Sequence, residues 1–193
     1  MKKNSISEIF QKARNGEWIN NQDLAFLVRQ ALKAAFPKTK FSVRNQHYSS
    51  ITVQWVDGPS SKQVQAVTGS FETKAFDGSI DLAYSKSFWL YSDGLASHAH
   101  TDGTERSLGY VGESISSAER PDGVPVTNVS GVYISETRRY SVDFLQEIVN
   151  TLKTKWDLSG VSVEHSDWEG GRVVTKDWDK QRIVFQEAES VTA

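Results

Sequence analysis

The chain has 193 residues, 38% of them hydrophobic and 24% charged, with a formal net charge of −2 and no cysteine. Such a length can bury about 70% of its unfolded surface as one domain without a covalent staple, and the missing cysteines exclude disulfide frameworks, zinc ribbons, iron–sulfur clusters and thiol nucleophiles. Six tryptophans argue against disorder, and the near-neutral balance lacks a domain-wide basic footprint for nucleic acid.

The charge is unevenly spread. Residues 1–40 carry eight Lys or Arg against three acids, and residues 157–193 carry four against eight, so head and tail could each meet a partner of opposite sign. MKKNSISEIF has no apolar run behind its lysines, and no window approaches the roughly 20 apolar residues of a membrane span. The expectation is a cytoplasmic protein with no membrane partner.

Ile6, Ile9, Phe10 and Ala13 recur at helical spacing, and Asn15-Gly16 supplies a left-handed stop. Asn20 or Asn21 can cap a second helix whose stripe is Leu24, Leu27, Val28, Ala31, Leu32 and Ala35, ended at Phe36-Pro37. Phe41 and Val43, then Ile51, Val53 and Trp55, alternate with polar residues and predict an antiparallel hairpin. Asp57-Gly58-Pro59 closes it, and Ser60 or Ser61 caps a helix with Val64, Val67 and Phe71 on one face.

One or two strands are expected between Ser79 and Tyr91, broken by Ser85-Lys86-Ser87. Residues 92–131 hold six glycines and two prolines and predict a loop-rich excursion. A short strand over Val132–Ser135 precedes a helix with the stripe Val142, Leu145, Ile148, Val149, Leu152 and Trp156. Strands are expected over Val161–Glu164, Arg172–Thr175 and Arg182–Phe185, with Gly170-Gly171 as a hairpin turn. The fold class predicted is α+β: a mostly antiparallel sheet with amphipathic helices on one face. It forms a single domain with residues 1–19 as a helical appendage and 132–193 as a strand-helix-strand part.

Catalytic signatures are absent. No Gly-x-Ser-x-Gly elbow, phosphate-cradling loop or dinucleotide fingerprint occurs, and the pairs Asp77/Asp81 and Asp177/Asp179 lack a cleft motif. His98, His100 and Asp102 in SHAHTD could share an ion, but so sparse a cluster in a loop is not a site. Asp57 has the position of a turn or cap residue. No catalytic residue, cofactor or metal is therefore expected. Binding residues are easier to nominate: Arg44, His47, Tyr48 and Gln54 on or beside the hairpin, Lys62 on the helix after it, and Arg138 and Arg139 ahead of a later helix.

KFSVR at 40–44, SSITVQWVDGP, KQV, and FETKAFDGSIDL at 71–82 resemble the blocks of a domain associated with large polyvalent proteins of phages and conjugative elements. The resemblance covers about residues 22–91. It implies a protein of a mobile genetic element acting inside a bacterial cell, and carries over no catalytic residue. The leading expectation is a non-enzymatic counter-defence protein that binds and inhibits a CRISPR–Cas effector complex. The alternative is a DNA- or RNA-binding accessory module for transfer or replication, using Arg44, Tyr48, Lys62 and Arg139.

Overall fold

The computed structural model describes residues 4–46, 49–99, 117–166 and 170–191. Helix α1 spans Ile6–Arg14, opened by a capping box between Ser5 and Glu8 and followed by Gly16 at φ +67°. Helix α2 spans Asn21–Ala35, and the Asn20 side chain accepts from the amides of Gln22 and Asp23. Each such cap satisfies donors that the first turn leaves unpaired. Leu24, Leu27, Val28, Ala31 and Leu32 are buried; each of the larger ones is worth roughly 1.5–3 kcal/mol relative to exposure. Ile9 is fully buried in the same core, and Lys12 Nζ reaches the buried Asp23 carboxylate at 2.9 Å. The first helix is thus built into the core and does not hang from it as an appendage.

Strands β1 (Ser42–Gln46) and β2 (Ser50–Val56) form the expected antiparallel hairpin. Helix α3 (Ser61–Thr68) begins at Ser60, again with a capping box, and passes into a 3-10 turn over Gly69–Phe71. Strands β3 (Lys74–Asp77) and β4 (Leu82–Ser85) make a separate hairpin. Strand β5 (Phe88–Leu90) lies between β6 (Ala96–His98) and β7 (Val124–Val126). The expected excursion is therefore tied to a small sheet at Ala96–His98 and again at Val124–Val126, and a bridge between Ile19 and Val129 ties its end to the N-terminal region.

Strand β8 runs over Tyr133–Arg139, longer than the four residues expected, and pairs with β2 in parallel. Three strands in the order β1-β2-β8 thus form a mixed sheet, and β2, central in it, has Thr52 buried as well as Ile51 and Val53. The α+β class holds, but the described residues form four small sheets of mainly antiparallel pairing instead of one. Val43, Ile51, Val53, Trp55 and Ile134 turn into the first core with α2 and α3, which leaves the opposite face of this sheet open.

A second core follows. Helix α4 (Val142–Leu152), strands β9 (Ser162–Ser166) and β10 (Gly170–Val174), and helix α5 (Trp178–Ser190) enclose Phe144, Leu145, Ile148, Val149, Val173 and Val184. The strand expected over Arg182–Phe185 is instead the middle of α5. Asp177 accepts from the amides of Asp179 and Lys180 and starts the helix, and Val184 and Ala188, four apart, take its buried face. A run of three apolar residues, Ile183 to Phe185, cannot by itself tell strand from helix. Gly170 and Gly171 belong to β10, not to its turn. A Cβ on Gly171 would come within 3.0 Å of Leu145 Cδ1, Ser141 O and Val142 Cα, so this glycine lets the strand lie against the start of α4.

Candidate functional site

The open sheet face follows from strand alternation. Ser42 and Arg44 of β1 are opposite Gln54 and Thr52 of β2, and Gln54 and Val56 are opposite Thr137 and Arg139 of β8. Successive side chains point to opposite faces, so Arg44, Gln54, Val56 and Arg139 share the face that carries no helix. The segment Lys38–Phe41, between α2 and β1, borders it. Together these residues line a groove of about 750 Å3 with Lys38, Lys40, Arg44 and Arg139 as its charged groups besides Asp57. Among the described residues no carboxylate or hydrogen-bond acceptor engages the side chains of Lys38, Lys40 or Arg44. Some cations elsewhere are paired, Arg120 with Asp93 at 2.6 Å, Arg172 with Glu164 at 3.0 Å and Arg182 with Asp179 at 3.1 Å, while others such as Lys33, Lys62 and Lys176 stand apart on the surface. What distinguishes Lys38, Lys40 and Arg44 is that they share one concavity.

Asp57 brings one negative charge to the groove, and its carboxylate is fixed by the backbone: Oδ1 accepts from the amide of Ser141, the N-cap of α4, at 2.8 Å. Asp57 and Gly58 both have positive φ, 54° and 62°, and Trp55 Nε1 donates to Pro59 O at 2.9 Å across the turn. A Cβ at residue 58 would meet Thr39 Oγ1 at 2.8 Å. The WVDGP stretch is thus a tight structural corner that shapes one end of the groove. Its aspartate caps a helix 84 residues away and not only the local turn.

Arg138 holds the back of the corner. Its guanidinium donates to the carbonyls of Asp57 and Gly58 on one side and of Ala188, Glu189 and Val191 at the end of α5 on the other. It lies 3.5 Å from the Glu189 carboxylate with its side chain 1% exposed. Glu189 also accepts from the Ser61 amide at 2.6 Å and from the Tyr140 hydroxyl at 2.8 Å. Partial burial of Tyr140, reinforced by the neighbouring Glu189, pushes its phenol up to about 12. Burial alone would raise the Glu189 carboxyl, but the hydrogen bonds from Tyr140 and Ser61 and the charge of Arg138 hold it below its ordinary range.

Of the nominated binding residues, Arg44, Gln54 and Arg139 come together in the groove. Lys62 is exposed in the first turn of α3 and is not among its lining residues. Arg138 is withdrawn from the surface, because β8 continues to Arg139 and its alternation sends the two arginines to opposite faces. His47 and Tyr48 lie outside the described residues, as do His100 and Asp102 of the SHAHTD stretch. Lys38, Lys40 and Phe41 were not nominated. The signal was the Lys-Thr-Lys run beside the first strand, which only the fold sets against Arg44 and Arg139.

The sequence profile of large polyvalent protein associated domain 29 matches residues 19–141, well over half of the chain. The chain belongs to this family. The polyvalent-protein domain reaches beyond the 22–91 of the sequence resemblance and takes in β5, β7 and β8, the strand that completes the central sheet. It ends at Ser141, so the whole groove lies within it and α4, β9, β10 and α5 follow it. No curated protein matches the chain, and no solved structure does. Among the described residues no helix is long and apolar enough to cross a membrane.

Proposed function

We propose that the chain is a non-enzymatic binding protein of a phage or conjugative element, and that its polyvalent-protein domain grips the phosphate backbone of nucleic acid in the groove of the open sheet face. One observation carries this reading: Lys38, Lys40 and Arg44 share a single concavity with Arg139 and meet no carboxylate among the described residues. Phosphate is the anion that basic side chains on nucleic-acid-binding surfaces engage most often. Binding through three or four phosphates of a duplex predicts a log-affinity slope against log salt of about −3 to −4. Fluorescence anisotropy with labelled DNA and RNA between about 50 and 200 mM salt measures it. Lys40→Glu and Arg44→Glu should each weaken binding and flatten the slope by about one. Flat salt dependence, or unchanged affinity in both variants, would refute the reading.

A second reading rests on a different feature. Trp18, Trp156 and Trp178 are 54%, 55% and 83% exposed, and tryptophan is enriched among the residues that dominate protein interfaces. This favours a counter-defence inhibitor that docks on a CRISPR–Cas effector complex. Affinity purification of the tagged protein from a bacterium carrying such a system, followed by mass spectrometry, tests it. Recovery of effector subunits after nuclease treatment supports inhibition by contact, and their absence leaves the nucleic-acid reading in place.

A further inference from the structure

We infer that the groove also receives the β3–β4 hairpin of a second copy of this chain, joining molecules head to tail; this goes beyond the nucleic-acid reading and does not depend on it. The hairpin is an arm. Among the described strands β3 and β4 pair only with each other, and a lone two-stranded hairpin is marginally stable in water. Phe76 and Leu82, near its tip, are 57% and 55% exposed. Residues 75–85 carry two acids, Asp77 and Asp81, and no Lys or Arg. Lys74 at the base is turned back over the Tyr133 ring, its Nζ 5.4 Å from the centroid. The tip has a fixed shape, since Asp77 Oδ1 accepts from the Ser79 amide at 2.9 Å and from the Ser79 hydroxyl at 2.6 Å.

The groove is the complement of this tip. Lys38, Lys40, Arg44 and Arg139 surround Val56, which is 48% exposed, and Asp57 is the only acid among the lining residues. An apolar tip flanked by carboxylates thus matches an apolar spot flanked by cations, and opposite potentials of this kind fix register and reject like-charged partners. The arm does not reach the groove of its own chain. It leaves the fold at the Tyr133 end of β8, where the Lys74 amide donates to Val132 O at 3.2 Å, whereas Val56 and Arg139 stand at the other end of the same strand pair. The six residues from Tyr133 to Arg139 span about 20 Å, and the four-residue strands of the arm about 13 Å. Every copy carries both surfaces, so the contact repeats in one direction and builds a ring or a filament instead of a closed pair.

A contact of this size belongs with transient ones that bury less than about 1,200 Å2, so the test varies protein concentration. Sedimentation velocity of the full chain, without nucleic acid, should show species larger than a dimer that grow with concentration and shrink as salt screens the charges. Two double variants separate the surfaces. Lys40→Glu with Arg44→Glu removes the groove and keeps the arm. Phe76→Ser with Asp81→Asn removes the arm and keeps the groove, asparagine being chosen because residue 81 has φ +54°. Each double variant should stay monomeric alone, and their mixture should stop at a one-to-one dimer, with melting curves showing that both keep the fold. A wild type that stays monomeric throughout, a variant that assembles as the wild type does, or a mixture that stays monomeric would overturn the inference. An oligonucleotide that binds should disperse the assemblies, and binding without dispersal would also overturn it. If no oligonucleotide binds, the nucleic-acid reading falls, and the mixture alone decides the head-to-tail contact.

Discussion

Replacing Arg138 by methionine should loosen the seam between the two cores and leave the groove's chemistry intact, whereas replacing Arg139 should do the reverse. The Arg138 guanidinium serves five carbonyls, two from the Asp57-Gly58 corner and three from the end of α5, beside the Glu189 carboxylate. Methionine fills similar space but offers no donor, so those acceptors and a partly buried carboxylate lose their partner. Because the Glu189 side chain is 38% exposed and keeps its bonds from Tyr140 and Ser61, the cost lies in the lost bonds to the charged guanidinium, about 1.5–3 kcal/mol for such a bond. For a chain of this size each kcal/mol moves Tm by about 2–4 °C, so Arg138→Met should melt at least roughly 3–12 °C lower. Arg139→Met, on the solvent face, belongs with surface changes of about 0.5 kcal/mol or less and should shift Tm by no more than about 2 °C while weakening nucleic-acid binding. Thermal unfolding followed by circular dichroism, with anisotropy on the same samples, reads both. An Arg138→Met protein that melts within 2 °C of wild type would refute the assignment of the two arginines to opposite faces.

Asp57→Ala should lose the charge-assisted bond to the Ser141 amide, worth about 1.5–3 kcal/mol, and force alanine into φ near +54°, a further 1–2 kcal/mol. Asp57→Asn keeps an acceptor and tolerates the left-handed region, so urea unfolding should show it clearly more stable than the alanine variant; equal losses would mean that the cap bond contributes little. The Tyr140 phenol gives a pH signature. Its folded value of about 12 stands above its ordinary 10.0, so the folded state holds that proton more tightly than the unfolded chain. The resulting stability is complete below pH 10 and is lost as the pH rises toward 12. The stability difference between wild type and Tyr140→Phe should accordingly narrow across that window, and parallel unfolding curves from pH 9 to 12 would contradict it.

Much of the first core was legible in the sequence because its causes are local. The stripe of α2 and its cap at Asn20, the serine opening α3 and the alternation of Val43 and Val53 all act within a few residues of themselves. The β3 strand and the helix α5 were not legible. Lys74–Asp77 has no apolar alternation to mark it, and Arg182–Phe185 is too short an apolar run to declare a period without its distant cap at Asp177.

The site divides in the same way. The residue types that could bind an anion, Arg44, Gln54 and Arg139 among them, were determined by the sequence, as was the corner at Asp57-Gly58. Which of them meet was decided by the tertiary structure, through the parallel pairing of β2 with β8 between residues 83 positions apart in the chain, as Val56 and Arg139 are. That pairing has no local signal, because parallel neighbours are joined by a crossover and not by a turn. It brings Arg139 to the side of Val56 and Lys40, and by the two-residue period of a strand it sends Arg138, one position earlier, into the seam.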